Sequence, residues 1–243
     1  MQCVILAGGL GTRMRAHTEQ IPKAMIEVAG HPFVHHQLSL LARQGVRRVV
    51  MITGYRGGQL RDYVGEGARY GLQVGYVEEG DSLRGTGGAL RFAADLGALD
   101  AGFFVLYGDS YLPIELAPIW SASHEGRRVV MTIFRNNGRW DRSNVRFGDG
   151  GPLLYDKHAI GELHASMRHI EYGISVLTRR VVTERIPAGI VADLAELYRT
   201  LSAEGEIIGY EVEQRFYECG SARGLRDLDA YLRDQPRITE GLH

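Results

Sequence analysis

Short apolar runs alternate with amphipathic stretches through the first half of the chain. Four runs, at residues 3–7, 48–53, 72–77 and 102–107, have the length and the aliphatic and aromatic content of strands. Between them, residues 32–44, 59–64 and 86–95 repeat their apolar positions at helical spacing. This βαβα rhythm predicts an α/β fold, with a mostly parallel central sheet and helices on both faces. In such sheets ligands gather at the carboxyl ends of the strands. After Gly108-Asp109 the rhythm loosens. A helix at 115–123 and a strand at 128–134 precede residues 136–151, which are rich in Gly, Asn, Asp and Arg and predict a small β-rich excursion over the strand ends. Helices resume at 193–204 and 222–233, with strand-like pieces at 170–177 and 207–212. No internal repeat or low-complexity linker interrupts the pattern, so one domain over residues 1–243 is expected.

A chain of 243 residues needs no staples, because a fold of this size buries roughly 70–75% of the surface of its unfolded chain. Cys3 and Cys219 have no spacing that suggests a disulfide framework or a zinc site, which points to a reducing cytoplasm. The sequence enters strand-like residues at once, and no apolar run approaches the roughly 18–20 residues that cross a bilayer. A cytoplasmic protein without a membrane partner is therefore expected. A net charge of −1 argues against a broad basic face for nucleic acid and leaves room for a local phosphate pocket. Homo-oligomerisation stays open.

The charge inventory singles out two residues. Among 28 Lys and Arg, only Lys23 and Lys157 are lysines. A retained lysine suggests a place where a compact, flexible ammonium is wanted rather than a planar fork. Lys23 follows Leu6-Ala7-Gly8-Gly9-Leu10-Gly11-Thr12-Arg13-Met14 and Pro22, an apolar strand running into a glycine-rich loop backed by cations. Such a loop brings backbone N–H groups close to phosphate oxygens. It is neither a Walker A loop, since Gly-Lys-Ser/Thr is missing, nor a G-x-G-x-x-G dinucleotide turn. His35, His36, His164 and His169 show no metal-ligand spacing next to acids.

Together these motifs resemble the sugar-1-phosphate nucleotidyltransferase family. The likeness extends over nearly the whole chain, through Glu79 to Leu90 with Gly85-Thr86-Gly87-Gly88, Tyr107-Gly108-Asp109, Tyr155-Asp156-Lys157, Glu171-Tyr172-Gly173 and Glu218-Cys219-Gly220-Ser221. It implies a Rossmann-like, GT-A-like fold and a reaction in which a sugar phosphate oxygen attacks the α-phosphorus of an NTP and expels pyrophosphate. It also implies roles. Leu6, Ala7, Gly8, Gly9, Gly11, Thr12 and Arg13 would grip the nucleotide, with Glu79, Gly85 and Thr86 at the base. Arg13 would clamp the leaving phosphates, and Lys23 would meet the α-phosphate. Asp109 and Glu218 would hold Mg²⁺, although the family commonly has Asp at the latter position. Lys157 would meet the acceptor phosphate, Glu171 the sugar hydroxyls with Gly173 giving clearance, and Asn144 would assist.

Because an ionised phosphate is already a nucleophile, the resemblance calls for positioning and charge stabilisation and for no general base. A carboxylate at Glu79 suits guanine, and the Gly85–Gly88 segment and short length look most similar to guanylyltransferases acting on a manno-heptose 1-phosphate. Uridylyl, thymidylyl or cytidylyl transfer to another sugar 1-phosphate stays open. The absence of hexapeptide repeats predicts no fused acyltransferase. Two rivals remain. Enzymes that attach nucleotides to molybdopterin or methylerythritol phosphate would not be expected to carry the Asp156-Lys157 and Glu171-Tyr172-Gly173 pair, and a non-catalytic regulatory subunit would tend to lose Arg13, Lys23 and Asp109.

Overall fold

The computed structural model describes residues 1–9, 19–80, 83–148 and 151–235. The opening apolar run forms β1 (Gln2–Ala7), and a single 3-10 turn at Lys23–Met25 leads into the hairpin of β2 (Glu27–Val28) and β3 (His31–Pro32). The predicted alternation then follows as α1 (Phe33–Arg43), β4 (Arg48–Thr53), α2 (Gly57–Val64), β5 (Gln73–Glu78), α3 (Gly85–Asp95) and β6 (Gly102–Tyr107). The second half comprises β7 (Ser110–Tyr111), α4 (Leu116–Ala122), β8 (Val129–Phe134), β9 (Val145–Gly148), β10 (Gly151–Tyr155), α5 (Gly161–Ser166) and β11 (Ile170–Thr178). It closes with α6 (Arg179–Arg185), α7 (Leu194–Ala203), β12 (Ile207–Val212), β13 (Tyr217–Glu218) and α8 (Ala222–Asp234).

Seven strands build the central sheet in the order β12-β8-β11-β6-β1-β4-β5. Every neighbouring pair is parallel except those of β11, which runs antiparallel to both β6 and β8. Side chains alternate along each strand, so Cys3 and Ile5 of β1 join one apolar layer with Leu38 of α1, Leu60 of α2 and Ile119 of α4. Val4 points the other way, into a layer with Leu90 of α3, Val182 of α6 and Leu197 of α7. Both faces are thus covered, as the near-continuous apolar strands require. The architecture is the mostly parallel α/β sheet expected from the alternation.

The β-rich excursion takes shape as the antiparallel hairpin β9–β10. Its body packs against the β12 edge, where a Cβ on Gly209 would lie 2.6 Å from Phe147 Cε2 and 2.9 Å from Leu153 Cδ1. Its root reaches the start of β11, where Asn144, just before β9, accepts the Glu171 N–H. Helices α5 and α6 have no counterpart in the predicted elements. The first buries no residue and the second buries only Val182, so neither presents the apolar stripe that marks a helix in sequence.

Candidate active site

The carboxyl ends of β1, β4, β5 and β6 surround a cavity of about 250 Å³, bordered by Ala7, Gly8, Lys23, Glu79, Thr86 and Asp109. Leu6, Gly9 and Gly85 also line it, so the described part of the glycine loop opens onto this space. Gly11, Thr12 and Arg13 fall outside the described residues. A side chain is impossible at Gly8 without rearrangement, since a Cβ there would come within 2.2 Å of Glu79 Oε2. Glu79 is 7% exposed, and its Oε1 accepts the Arg84 backbone N–H at 3.0 Å while its carbonyl accepts from Arg84 Nη1 at 2.7 Å. These bonds aim the carboxylate while leaving lone pairs on both oxygens.

Lys23 begins its 3-10 turn directly after Pro22, whose backbone is extended and whose carbonyl accepts the Met25 N–H at 2.8 Å. With Ala24 buried, the turn is anchored and the lysine stem is directed at the end of β6. Its Nζ lies 2.5 Å from Asp109 Oδ2, with side-chain exposures of 17% and 30% for the two residues. Glu218 arrives from the far end of the chain. The two-residue ladder of β7 and β13 pairs it with Ser110, and Asp109 O accepts the Cys219 N–H at 2.9 Å. A Cβ on Gly220 would stand 2.6 Å from Lys23 Nζ, 2.8 Å from Glu218 Oε2 and 3.1 Å from Asp109 Oδ2. One ammonium and two carboxylates therefore converge on a single glycine.

This convergence fits a hard divalent ion. Magnesium takes one or two protein carboxylates and completes its shell with water and substrate phosphates. Among the described residues no set of three or more His, Cys, Asp or Glu side chains could hold a metal alone, so the remaining ligands would come from the nucleotide. Both oxygens of Glu218 are held in place: Oε1 accepts Ser221 Oγ–H at 2.5 Å and Oε2 accepts the Gly220 N–H. Ser221 caps α8 in turn, accepting the Gly224 N–H at 3.0 Å.

The Gly85–Gly88 segment opens α3, and its glycines answer to a neighbouring loop. A Cβ on Gly85, which has φ of +68°, would lie 2.5 Å from Ala192 O, and one on Gly88 would lie 2.7 Å from Ile190 O. Ala192 O accepts the N–H groups of Gly87 and Gly88 at 2.9 and 3.1 Å, occupying donors that a helix N-terminus otherwise leaves free. Next to it, Asp193 accepts from Thr86 Oγ1 at 3.2 Å and forms an ion pair with Lys157. The lysine and neighbouring hydrogen bonds hold the Asp193 carboxyl below the usual range, against the opposing effect of burial. Asp193 thus ties the start of α3 to Lys157. The sequence places it only at a helix start: the Asp193-x-x-Glu196 pattern marks its capping role, and nothing in the chain marks the contact with Lys157.

Glu171 stands near the start of β11, beside the carboxyl end of β6, because Ile174 pairs with Leu106 in antiparallel register. Asn144 positions it by accepting the Glu171 N–H on Oδ1 at 2.9 Å. The Gly173 N–H donates to Glu171 Oε1 at 2.8 Å. Burial pushes the Glu171 carboxyl up to about 7, and this hydrogen bond only partly offsets it. The phenols of Tyr107, Tyr155 and Tyr198 surround it, each raised first by burial and next by the Glu171 charge. At Gly173 the φ of +102° and the 3.0 Å from a notional Cβ to Ser110 Oγ show that the free space here is taken by β7.

The MobA-like NTP transferase domain family matches residues 3–189. Mannose-1-phosphate guanylyltransferase of Mycobacterium tuberculosis is 30% identical over 254 residues, covering 98% of this chain and 67% of the relative. D-glycero-α-D-manno-heptose 1-phosphate guanylyltransferase of Aneurinibacillus thermoaerophilus is 38% identical over 94 residues, 38% of this chain and 40% of its own. Further relatives are cytidylyl-, uridylyl- and thymidylyltransferases, so kinship leaves the base open. A Bacillus anthracis structure assigned as a glucose-1-phosphate thymidylyltransferase superposes with a TM-score of 0.83, covering 99% of this chain and 98% of that one. At 17% identity that likeness speaks to the fold. The chain belongs to the MobA-like NTP transferase family, among its sugar-1-phosphate nucleotidyltransferases.

Proposed function

We propose that this chain transfers the guanylyl group of GTP to a sugar 1-phosphate, with a manno-heptose 1-phosphate as the favoured acceptor, releasing pyrophosphate with the help of Mg²⁺. The observation that carries the reading is the meeting of Lys23, Asp109 and Glu218 around Gly220 at the rim of the strand-end cavity. An ammonium beside two carboxylates suits a reaction whose partners are both highly charged phosphates.

In this reading the acceptor phosphate oxygen bonds to the α-phosphorus as the bond to the β-phosphate oxygen breaks. Lys23 places a movable positive charge where negative charge shifts between these bonds, and Arg13 takes the departing phosphates. Asp109 and Glu218 would hold Mg²⁺, which neutralises and orients phosphate oxygens when bound. Lys157 has three N–H donors; one is engaged with Asp193 and the others face no described partner, so they serve the acceptor phosphate. Glu171, with Asn144 behind it, accepts from sugar hydroxyls.

Guanine is favoured by Glu79, whose carboxylate can accept from N1–H and N2–H₂ together. The Mycobacterium tuberculosis and Aneurinibacillus thermoaerophilus relatives are both guanylyltransferases. Glu79→Gln is expected to cut the preference for GTP over UTP by about tenfold or more, since an amide presents one acceptor and one donor to the same edge. Ratios of kcat/KM for the two nucleotides check this, and an unchanged ratio places base selection elsewhere. Pyrophosphate release with a panel of NTPs and sugar 1-phosphates tests the whole reading. Turnover with none of the pairs sinks it.

The raised carboxyl of Glu171 predicts a pH dependence. Below about pH 7 the group is protonated and loses acceptor capacity, so KM for the sugar phosphate should fall as pH rises through that value. The acceptor phosphate itself titrates near pH 6, and the Glu171→Gln variant separates the two effects by removing only the protein's part. For stability the sign is opposite. A carboxyl raised on folding stabilises the fold below its unfolded pKa, and that contribution is lost as pH rises through about 7. A wild-type KM profile that matches the Glu171→Gln profile removes Glu171 from acceptor binding.

A further inference from the structure

The inward face of α1 carries Val34, Leu38 and Leu41, and one polar residue, Gln37, is buried among them at 1% exposure. Its Nε2 donates to Tyr107 O at 3.1 Å and to Ser110 O at 2.8 Å. Those two carbonyls bracket Gly108-Asp109, so a single amide spans the turn that presents Asp109. Ser110 is also the register partner of Glu218 in the β7–β13 ladder. Both carboxylates are therefore referenced to the same side chain. The Gln37 Oε1 finds no hydrogen-bond partner among the described residues. An apolar residue of similar volume would remove this orphan acceptor, but it would also take both donors away from the Tyr107 and Ser110 carbonyls. What the amide contributes is a pair of donors on one turn.

We infer that Gln37 is a positioning residue for the Asp109–Glu218 pair. It touches no substrate and acts by fixing the main chain on either side of Asp109, as groups behind a metal ligand commonly do. The inference rests on the reading of Asp109 and Glu218 as the metal-holding carboxylates.

The test is binding of Mn²⁺, in the presence of a non-hydrolysable GTP analogue, followed by electron paramagnetic resonance on the whole chain. For Gln37→Met, which keeps the volume and removes both donors, the Mn²⁺ dissociation constant is expected to rise about tenfold or more. In parallel kcat should fall while KM for the nucleotide stays within about twofold. Gln37→Glu covers the case in which the methionine variant does not fold. Its buried carboxyl is neutral and donates one O–H, so its Mn²⁺ affinity should lie between those of wild type and methionine. Wild-type Mn²⁺ affinity in either folded variant overturns the inference, even where melting temperature drops, because that pattern belongs to a purely structural residue. Absence of Mn²⁺ binding in the wild type overturns the metal reading and the inference with it.

Discussion

Replacing Lys23 with alanine is expected to lower kcat by about a thousandfold while nucleotide affinity stays within about tenfold. The asymmetry follows from where the ammonium sits. Its partner is Asp109 at 2.5 Å, at the rim of the cavity, so its charge is held close to the proposed reacting phosphorus and away from the base. In the proposed reading the nucleotide keeps its contacts with Gly8, Gly9 and Glu79, which line the cavity. What is lost is a charge that strengthens its interaction as the transition state forms. Lys23→Arg should recover little, because a planar fork on a longer stem does not fit a place where one point donor meets Asp109 next to Gly220. Steady-state kinetics and calorimetric titration of GTP measure the two quantities. A near-normal kcat in Lys23→Ala would take the lysine out of the mechanism.

The scarcity of lysine makes Lys23 visible in the sequence alone, since a chain that otherwise uses Arg keeps a lysine beside a glycine loop. Strands β1, β4, β5 and β6 are equally legible, being apolar runs bounded by turns. The direction of β11 is not, because no local signal tells an antiparallel strand from a parallel one within a sheet. The meeting of Glu218 with Asp109 depends on β7 and β13, two residues each, which are too short to show any period. The Gly85–Gly88 segment reads in sequence as room for a base. Part of that room is required by Ala192 and Ile190, a contact about a hundred residues distant along the chain that no local pattern announces. Gln37 is hidden for a related reason. A glutamine within an amphipathic helix reads as an ordinary polar position, and only the tertiary fold turns it towards Tyr107 and Ser110.

These long-range contacts divide the proposed site into two halves with a shared frame. The nucleotide half hangs on β1, β6 and α3, and the acceptor half on the β9–β10 root and the start of β11. Two connections cross between them. One is the chain from Thr86 through Asp193 to Lys157, and the other is β7, which supports the Asp109 turn on one side and fills the space at Gly173 on the other. Reaction between two tethered phosphates requires their spacing to be held to a fraction of an ångström, and packed strands and hydrogen-bonded loops supply that stiffness better than free loops do.

Asp109→Asn is expected to have the second large effect, a fall in kcat of about a thousandfold or more together with loss of metal binding. The substitution keeps the side chain's shape, and the contacts that the Asp109 backbone makes, including the Cys219 N–H at 2.9 Å, do not involve the carboxylate. The fold should therefore persist, with a change in melting temperature of only a few degrees, because the Lys23 pair it removes is partly solvated. Removing this carboxylate leaves Lys23 facing Glu218 alone around Gly220, so the ammonium is pulled towards the β13 side of the site and away from the turn. Two losses then compound. One metal ligand of two is gone, and the cation that should meet the α-phosphate is displaced, which is why the effect should match or exceed that of Lys23→Ala and why the double variant should be no worse than Asp109→Asn alone. Mn²⁺ binding, melting temperature and kcat of the three variants separate these terms. If the double variant falls below Asp109→Asn by the full factor of Lys23→Ala, the two residues act independently and the coupling between them is wrong.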